Sequence, residues 1–105
     1  MASPSQIVIR PAARRDILEA FDYLSREGGA RTADRFVSGV ESAARLLAER
    51  PRIGRVCGFS GRISRRFRQW PVPGFEDWLI YIPYRNTVEL LRVLHGARDL
   101  AAILE

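Results

Sequence analysis

His95 and the arginines near it in the sequence are the residues with the clearest potential for chemistry. Metal-free cleavage of RNA needs a base for the ribose 2′-hydroxyl, a cation for the pentavalent phosphate and an acid for the leaving oxygen. His95, Arg85, Arg92 and Arg98 could supply that set. The alternative is structural: a single histidine with no identifiable carboxylate partner ends a strand and hydrogen-bonds locally, holding the turn at Gly96.

A second cationic group lies on a short β-rich segment and consists of Arg62, Arg65, Arg66 and Arg68. Side chains alternate between the two faces of a strand, so Arg66 and Arg68 are expected on the same face. Such a face could contact a nucleic acid or an acidic protein. The alternative is a solvated strand face whose charges protect the sheet edge from aggregation.

The late part of the chain also contains a cluster of aromatic residues, which could stack on bases. Burial in the core is the more common role of such residues and is the interpretation we favour. The cluster consists of Trp70, Phe75, Trp78, Tyr81 and Tyr84.

The charge balance indicates an anionic partner. All 17 cationic side chains are arginine and only 12 side chains are acidic, which gives a formal net charge of +5. A polyanion or an acidic protein is the natural partner of such a chain. Arginine suits bidentate contacts to phosphate or carboxylate, although a coding bias toward arginine is the explanation we favour for the absence of lysine.

Length and composition predict one soluble domain over residues 1–105. Cys57 is the only cysteine, so no intrachain disulfide can form and no zinc-type Cys/His spacing exists. We therefore expect a cytoplasmic protein with no metal and no cofactor. No apolar stretch resembles a signal peptide or a membrane span, so we expect no contact with a membrane.

The first half of the chain predicts a strand followed by a helical hairpin. The run Gln6–Arg10 is β-branched, and Pro11 suits the first turn of a helix. Apolar residues then recur at spacings of three and four, with Asp16 among the charged residues turned toward water. Gly28-Gly29 ends this first helix, and a second one is predicted over Ala30–Glu49.

The second half predicts strands. Arg52–Arg62 is glycine-rich and is interpreted as a loop, and Asn86 suits a tight hairpin turn. Pro83 cannot donate to a ladder, so a bulge or an interrupted pairing is expected there. A short helix is predicted over Ala97–Leu104. The three predicted strands are Ile63–Trp70, Trp78–Arg85 and Thr87–His95.

This order predicts an α+β domain of the pattern β-α-α-β-β-β, in which the helical hairpin packs on a mainly antiparallel four-stranded sheet. The short helix at the carboxyl end completes it.

Four segments of the chain resemble ParE-like toxins of the RelE/ParE type II toxin–antitoxin family. The resemblance covers essentially the whole chain and keeps the order of elements given above. The segments are Ile9–Ile17, Arg50–Arg55, the pair Tyr84-Arg85 and Leu91–Leu100.

The resemblance implies a RelE/ParE fold and a cognate ParD-like antitoxin, whose disordered carboxyl-terminal region wraps the toxin in a hetero-oligomer. Operator DNA would be contacted only indirectly, through the antitoxin. ParE-like members poison DNA gyrase, whereas RelE-like members cut mRNA on the ribosome without a metal. A weaker possibility is an inactive partner that only tunes repression of the operon.

The ParE-like ending favours gyrase, and with it a protein inhibitor that is not an enzyme. Nuclease members often place a tyrosine or a second basic residue near His95, where this chain has Gly96. We expect Arg66, Arg68, Arg92 and Arg98 to bind the target. The alternative, an mRNA endoribonuclease, would use His95 with Arg85, Arg92 and Arg98.

Overall fold

The computed structural model describes residues 4–57 and 67–96. Its elements, in chain order, are β1 (Gln6–Ile9), α1 (Pro11–Gly28), α2 (Ala30–Glu49), β2 (Arg55–Val56), β3 (Arg68–Pro71), β4 (Asp77–Pro83) and β5 (Thr87–His95).

The predicted helical hairpin is confirmed, with both helices at the expected bounds. Pro11 occupies the first turn of α1. A single residue, Gly29, separates the two helices with φ of 87° and ψ of 170°, a conformation that is essentially restricted to glycine. Leu18 departs from the expected apolar face, since it is 60% exposed. Neither described helix is long and apolar enough to cross a membrane.

The sheet differs from the predicted four antiparallel strands. Within residues 4–57 and 67–96 it has five strands in the order β1-β5-β4-β3-β2, and β1 runs parallel to β5 while the other neighbours are antiparallel. The additional strand, β2, lies in the segment interpreted as a loop. It is only two residues long, too short for an alternating pattern, and it exists because Arg55 and Val56 pair with β3.

Strand bounds and the bulge also need correction. Strand β5 has the predicted bounds, whereas β4 begins one residue earlier than expected and ends at Pro83. The irregularity in pairing falls between Ile80 and Tyr81, not at Pro83, which is the last paired residue of β4. A proline at a strand end loses no internal ladder bond. The predicted helix over Ala97–Leu104 lies outside the described residues.

The helices cover one face of the sheet and share its larger core. Phe36 of α2 is fully buried and contacts Phe75 edge-to-face, with ring centroids 5.2 Å apart. Tyr81 and Leu79 of β4 meet the helices from the sheet side. A second cluster, without helical residues, contains Cys57, Phe67, Ile80 and Leu94.

The aromatic residues mostly confirm the core interpretation. Tyr81 is fully buried, Trp70 and Phe75 pack against the larger core, and Trp78 packs against the second cluster. Tyr84 is the exception, because it lies beyond the end of β4 and is 46% exposed.

Candidate functional site

A groove of about 580 Å³ separates helix α1 from the end of the sheet at which β5 finishes. Its lining combines apolar side chains with four carboxylates and one histidine. The lining residues are Asp16, Glu19, Ala20, Tyr23, Leu24, Gly74, Phe75, Glu76, Asp77, Val93 and His95. The groove is therefore acidic, although the whole chain has a net charge of +5.

Two carboxylates lie beside His95 in this groove. The Nδ1 atom lies 3.3 Å from Asp77 Oδ1, and Nε2 lies 3.6 Å from Glu76 Oε2. The His95 side chain is 68% exposed, whereas that of Asp77 is 12% exposed. The expectation that the histidine lacks a carboxylate partner is therefore wrong. Antiparallel pairing of β4 with β5 brings Asp77 directly opposite His95.

Asp77 orients the imidazole and is itself perturbed by its surroundings. Burial raises the pKa of this carboxyl group above its ordinary value, and the negative charge of Glu76 raises it further. The hydrogen bond and charge of His95 act in the opposite direction and are outweighed. A carboxylate on one ring nitrogen fixes which nitrogen faces outward. The pair could hold or move a proton. No guanidinium lines the described groove to stabilise a phosphate beside it.

Arg92 is held by Asp16 of helix α1. Its Nε donates to Asp16 Oδ2 at 2.7 Å and its Nη2 donates to Oδ1 at 2.9 Å, while the backbone N–H of Val93 donates to Oδ2 at 2.9 Å. The hydrogen bond to Asp16 raises the pKa of Arg92 further. This bidentate contact ties the first helix to the last strand, so the guanidinium of Arg92 already has a structural role.

The other predicted site residues are spread over the molecule. Arg68 donates to the carbonyl oxygens of Arg52 and Gly54, at 3.1 and 2.7 Å. Arg85 lies in the β4–β5 turn, at the opposite end of the hairpin from His95. Seven residues of β4 separate these ends by about 20 Å, at about 3.3 Å per residue. Arg66 and Arg98 lie outside the described residues.

Neither a reactive thiol nor a metal-binding group is found near the groove among the described residues. Burial raises the pKa of Cys57 to about 11, so its thiol stays protonated near neutral pH and is a poor nucleophile. Among residues 4–57 and 67–96, no group of three or more histidine, cysteine, aspartate or glutamate side chains is placed to hold a metal ion.

The carboxylate partners of His95 and Arg92 were not predicted from the sequence. A signal for Asp77 was available, because Asp77 and His95 stand nine residues to either side of Asn86, the expected hairpin turn. No comparable signal existed for Asp16. It lies among exposed charges of α1, and only the packing of that helix on β5 brings it to Arg92.

The fold is that of known bacterial toxin–antitoxin proteins. The chain is similar to a chain of the chromosomal ParDE system from P. aeruginosa, with a TM-score of 0.73 and 13% identity over 88% of this chain and 96% of that one. It is also similar to a chain of the RelBE2 toxin–antitoxin complex from Mycobacterium tuberculosis. There the TM-score is 0.58 and the identity 22%, over 92% of this chain and 97% of that one.

The sequence identifies the family. The model of the ParE toxin of the type II toxin–antitoxin system parDE matches residues 7–100, and the chain therefore belongs to the ParE toxin family. This match confirms the resemblance described above and does not favour the RelE-like alternative. No curated protein sequence matches the chain.

Proposed function

We propose that this ParE-family toxin stops growth by binding DNA gyrase as a protein inhibitor, and that a cognate ParD-like antitoxin neutralises it. The observation that carries the proposal is the ParE family match over residues 7–100. Characterised ParE-like toxins act on gyrase, as the resemblance implied, and the match extends over nearly the whole domain.

The geometry around His95 supports an inhibitor over a nuclease. Cleavage of a phosphodiester requires a cation beside the general base, so that the charge of the transition state is stabilised. The described neighbours of His95 are the carboxylates of Asp77 and Glu76. Arg92 is engaged by Asp16, and Arg85 lies at the far end of the hairpin. Carboxylates in this position would repel a phosphate.

Two observations support an antitoxin as partner. The similar structures come from toxin–antitoxin systems, as their descriptions state. In addition, helix α1 exposes Leu18 and Tyr23 at 60% and 58%. An acidic, partly disordered antitoxin segment that folds on binding would cover apolar residues of this kind and match the charge of +5.

The decisive experiment induces the toxin alone and follows plasmid supercoiling, gyrase cleavage complexes and mRNA integrity in parallel. We expect supercoiling to fail while mRNA stays intact, and we expect co-expression of the antitoxin to restore growth. Rapid mRNA loss with normal gyrase activity would overturn the proposal and favour the endoribonuclease.

His95→Gln provides the matched variant. Glutamine keeps hydrogen-bonding capacity beside Asp77 but cannot shuttle a proton near neutral pH, and loss of a general base typically costs about 10²- to 10⁴-fold in rate. A gyrase inhibitor should therefore remain toxic with this substitution. A variant that folds like the parent, as judged by its circular dichroism, and no longer stops growth would contradict a non-catalytic role.

A further inference from the structure

A cationic surface lies at the end of the sheet opposite the His95 groove. It borders a cavity of about 650 Å³ between the loop that follows α2 and the β4–β5 turn. Its lining residues, among those that the structure describes, are Arg50, Pro51, Arg52, Ile53, Pro83, Tyr84 and Arg85, and this described set contains no carboxylate. We refer to these seven residues as the arginine platform.

Buried hydrogen bonds fix the loop that carries two of the arginines. The hydroxyl of Tyr81, which is fully buried, donates to the carbonyl oxygen of Pro51 at 2.8 Å and accepts from the N–H of Gly54 at 2.9 Å. Arg68 donates to the carbonyl oxygens on either side of Ile53, as described above. Side chains of the sheet therefore fix the backbone of the loop that carries Arg50 and Arg52.

Gly54 permits this arrangement through close packing. A Cβ atom at this position would collide with the side chain of Tyr81 and would lie 2.8 Å from the carbonyl oxygen of Gln69. Only glycine lets the loop approach the sheet so closely. The loop is therefore positioned before any ligand binds, which reduces the entropy lost on binding.

The second part of the platform is a short, ordered turn. The N–H of Tyr84 donates to the carbonyl oxygen of Thr87 at 2.7 Å, and Pro83 restricts the backbone just before it. Tyr84 is 46% exposed and Arg85 is also exposed. The exposed Tyr84 side chain and three arginines therefore line the same cavity.

The three platform arginines keep their charges available. No carboxylate of residues 4–57 and 67–96 forms an ion pair with Arg50, Arg52 or Arg85, in contrast to Arg92 and Arg10. Arg68 adds a further positive charge near the same loop. A fixed group of guanidinium ions attracts an anion with several charges, such as a chain of phosphates.

We propose that the arginine platform binds a single-stranded nucleic acid segment, with its phosphates on Arg50, Arg52 and Arg85 and one base stacked on Tyr84. An exposed aromatic ring among arginines is the combination used for unpaired nucleotides. An acidic peptide would use the arginines and leave the ring without a role. The proposal does not depend on gyrase being the target.

The test measures binding of the refolded full chain, without antitoxin, to a fluorescein-labelled oligothymidylate of about 12 nucleotides, a length typical of one such site. Binding is followed by fluorescence anisotropy at several salt concentrations. The triple variant R50Q/R52Q/R85Q is compared with R14Q/R15Q/R45Q, which removes the same charge from exposed positions of the helices. The single variants R52Q and R85Q replace the triple variant if it fails to fold.

We expect the platform variant to weaken binding at least tenfold and to lower the slope of log affinity against log salt by about 2, since each phosphate contact on a single strand contributes about 0.7. The helix variant should retain the parental slope. Equal losses in both variants would show that binding follows net charge alone and would overturn the proposal.

Substitutions of Tyr84 distinguish binding of a nucleic acid from binding of other polyanions. Tyr84→Ala should weaken oligothymidylate binding by about 5- to 100-fold, whereas Tyr84→Phe, which keeps the ring, should bind like the parent. Polyglutamate of matched charge should compete poorly. If Tyr84→Ala binds as tightly as the parent, no base stacks on the ring, and if polyglutamate displaces the oligonucleotide efficiently, the platform is an acidic-peptide site. Either result makes the proposal wrong.

Discussion

Asp16 joins helix α1 to strand β5 and is largely enclosed, with an exposed fraction of 11% for its side chain. Because its carboxylate accepts two hydrogen bonds from Arg92 and one from the backbone of Val93, Asp16→Ala leaves a guanidinium and an N–H without their partner. Hydrogen bonds to charged groups contribute about 1.5–3 kcal/mol each, but the Arg92 side chain is 28% exposed and regains hydrogen bonds with water, so we expect a total loss of about 2–3 kcal/mol in the free energy of unfolding, measured with urea.

Asp22→Ala is the matched control for this substitution. Asp22 also lies on α1 and pairs with Arg26, but both side chains are about 70% exposed, and such pairs contribute at most a few tenths of a kcal/mol. Equal effects of the two substitutions would contradict the structural role of Asp16. By the same argument, charge reversal at Arg92 would destabilise the fold, so loss of toxicity in that variant would not identify a target contact.

Asp77 makes stability depend on pH. Because its pKa is raised in the folded chain, the folded state retains a proton at pH values where the unfolded chain has lost it. The resulting stability is present below the ordinary aspartate pKa, about 4, and is lost as the pH rises through the raised value. Asp77→Asn remains uncharged throughout and still presents an oxygen to His95. We expect its melting temperature to exceed that of the parent near neutral pH.

This advantage of Asp77→Asn should shrink as the pH falls through the raised pKa of Asp77 and should be gone below about 4, where the parent carboxyl group is protonated in the unfolded as well as the folded state. Glu76→Gln serves as the control, since the Glu76 side chain is 87% exposed and also faces His95. Thermal unfolding followed across this pH range measures both variants. An advantage of the same size at every pH, or one shared by Glu76→Gln, would show that burial of Asp77 is not its source.

At the scale of elements, the connection between the two helices depends on one residue, Gly29. The backbone dihedral angles of Gly29 lie in a region that residues with a side chain rarely adopt. Gly29→Ala should therefore destabilise the chain by about 1–3 kcal/mol. Asparagine tolerates the left-handed helical region but not this one, so Gly29→Asn should be no better than alanine. Urea unfolding of both variants measures the difference, and a fully stable Gly29→Asn chain would contradict the backbone argument.

The helices were predictable because their signals are local. Pro11, the glycine pair Gly28-Gly29 and the spacing of apolar residues mark the ends and faces of both helices, and the structure keeps those bounds. Sheet details depend on distant pairing instead. Strand β2 exists only through β3, and the bulge at Ile80 adjusts the register so that Asp77 reaches His95. Neither feature leaves a pattern in its own segment.

The same difference between local signals and distant pairing applies to the candidate site. Residue type alone drew attention to His95 and to the arginines. Their roles depended on partners far away in sequence: Asp16 lies 76 residues before Arg92, and Asp77 lies 18 residues before His95. The arginine platform likewise joins the end of α2 to the β4–β5 turn, more than 30 residues apart in the chain. Only the pair of Asp77 and His95, placed symmetrically about Asn86, left a signal in the sequence; no spacing within a segment indicates the other two groups.

At the scale of the whole molecule, the two candidate surfaces differ in charge and lie at opposite ends of strand β4. Carboxylates line the groove at the Asp77 end, and arginines line the cavity beyond Pro83. Both surfaces are built on the same sheet, and the larger core of that sheet also includes Phe36 and Leu47 of the hairpin. Substitutions at one surface should therefore leave the chemistry of the other unchanged, provided that the shared core stays folded.

This shared core predicts a single unfolding transition. Far-ultraviolet circular dichroism reports mainly on the two helices, whereas tryptophan fluorescence reports on Trp70 and Trp78 of the sheet, each of which packs against one of the two clusters. A domain of this size, whose two clusters share strands β4 and β5, unfolds cooperatively. We expect the urea midpoints from the two signals to coincide, in the parent and in Asp16→Ala alike. If fluorescence changes before ellipticity, the sheet unfolds while the hairpin persists, and the shared core does not join the two layers into one cooperative unit.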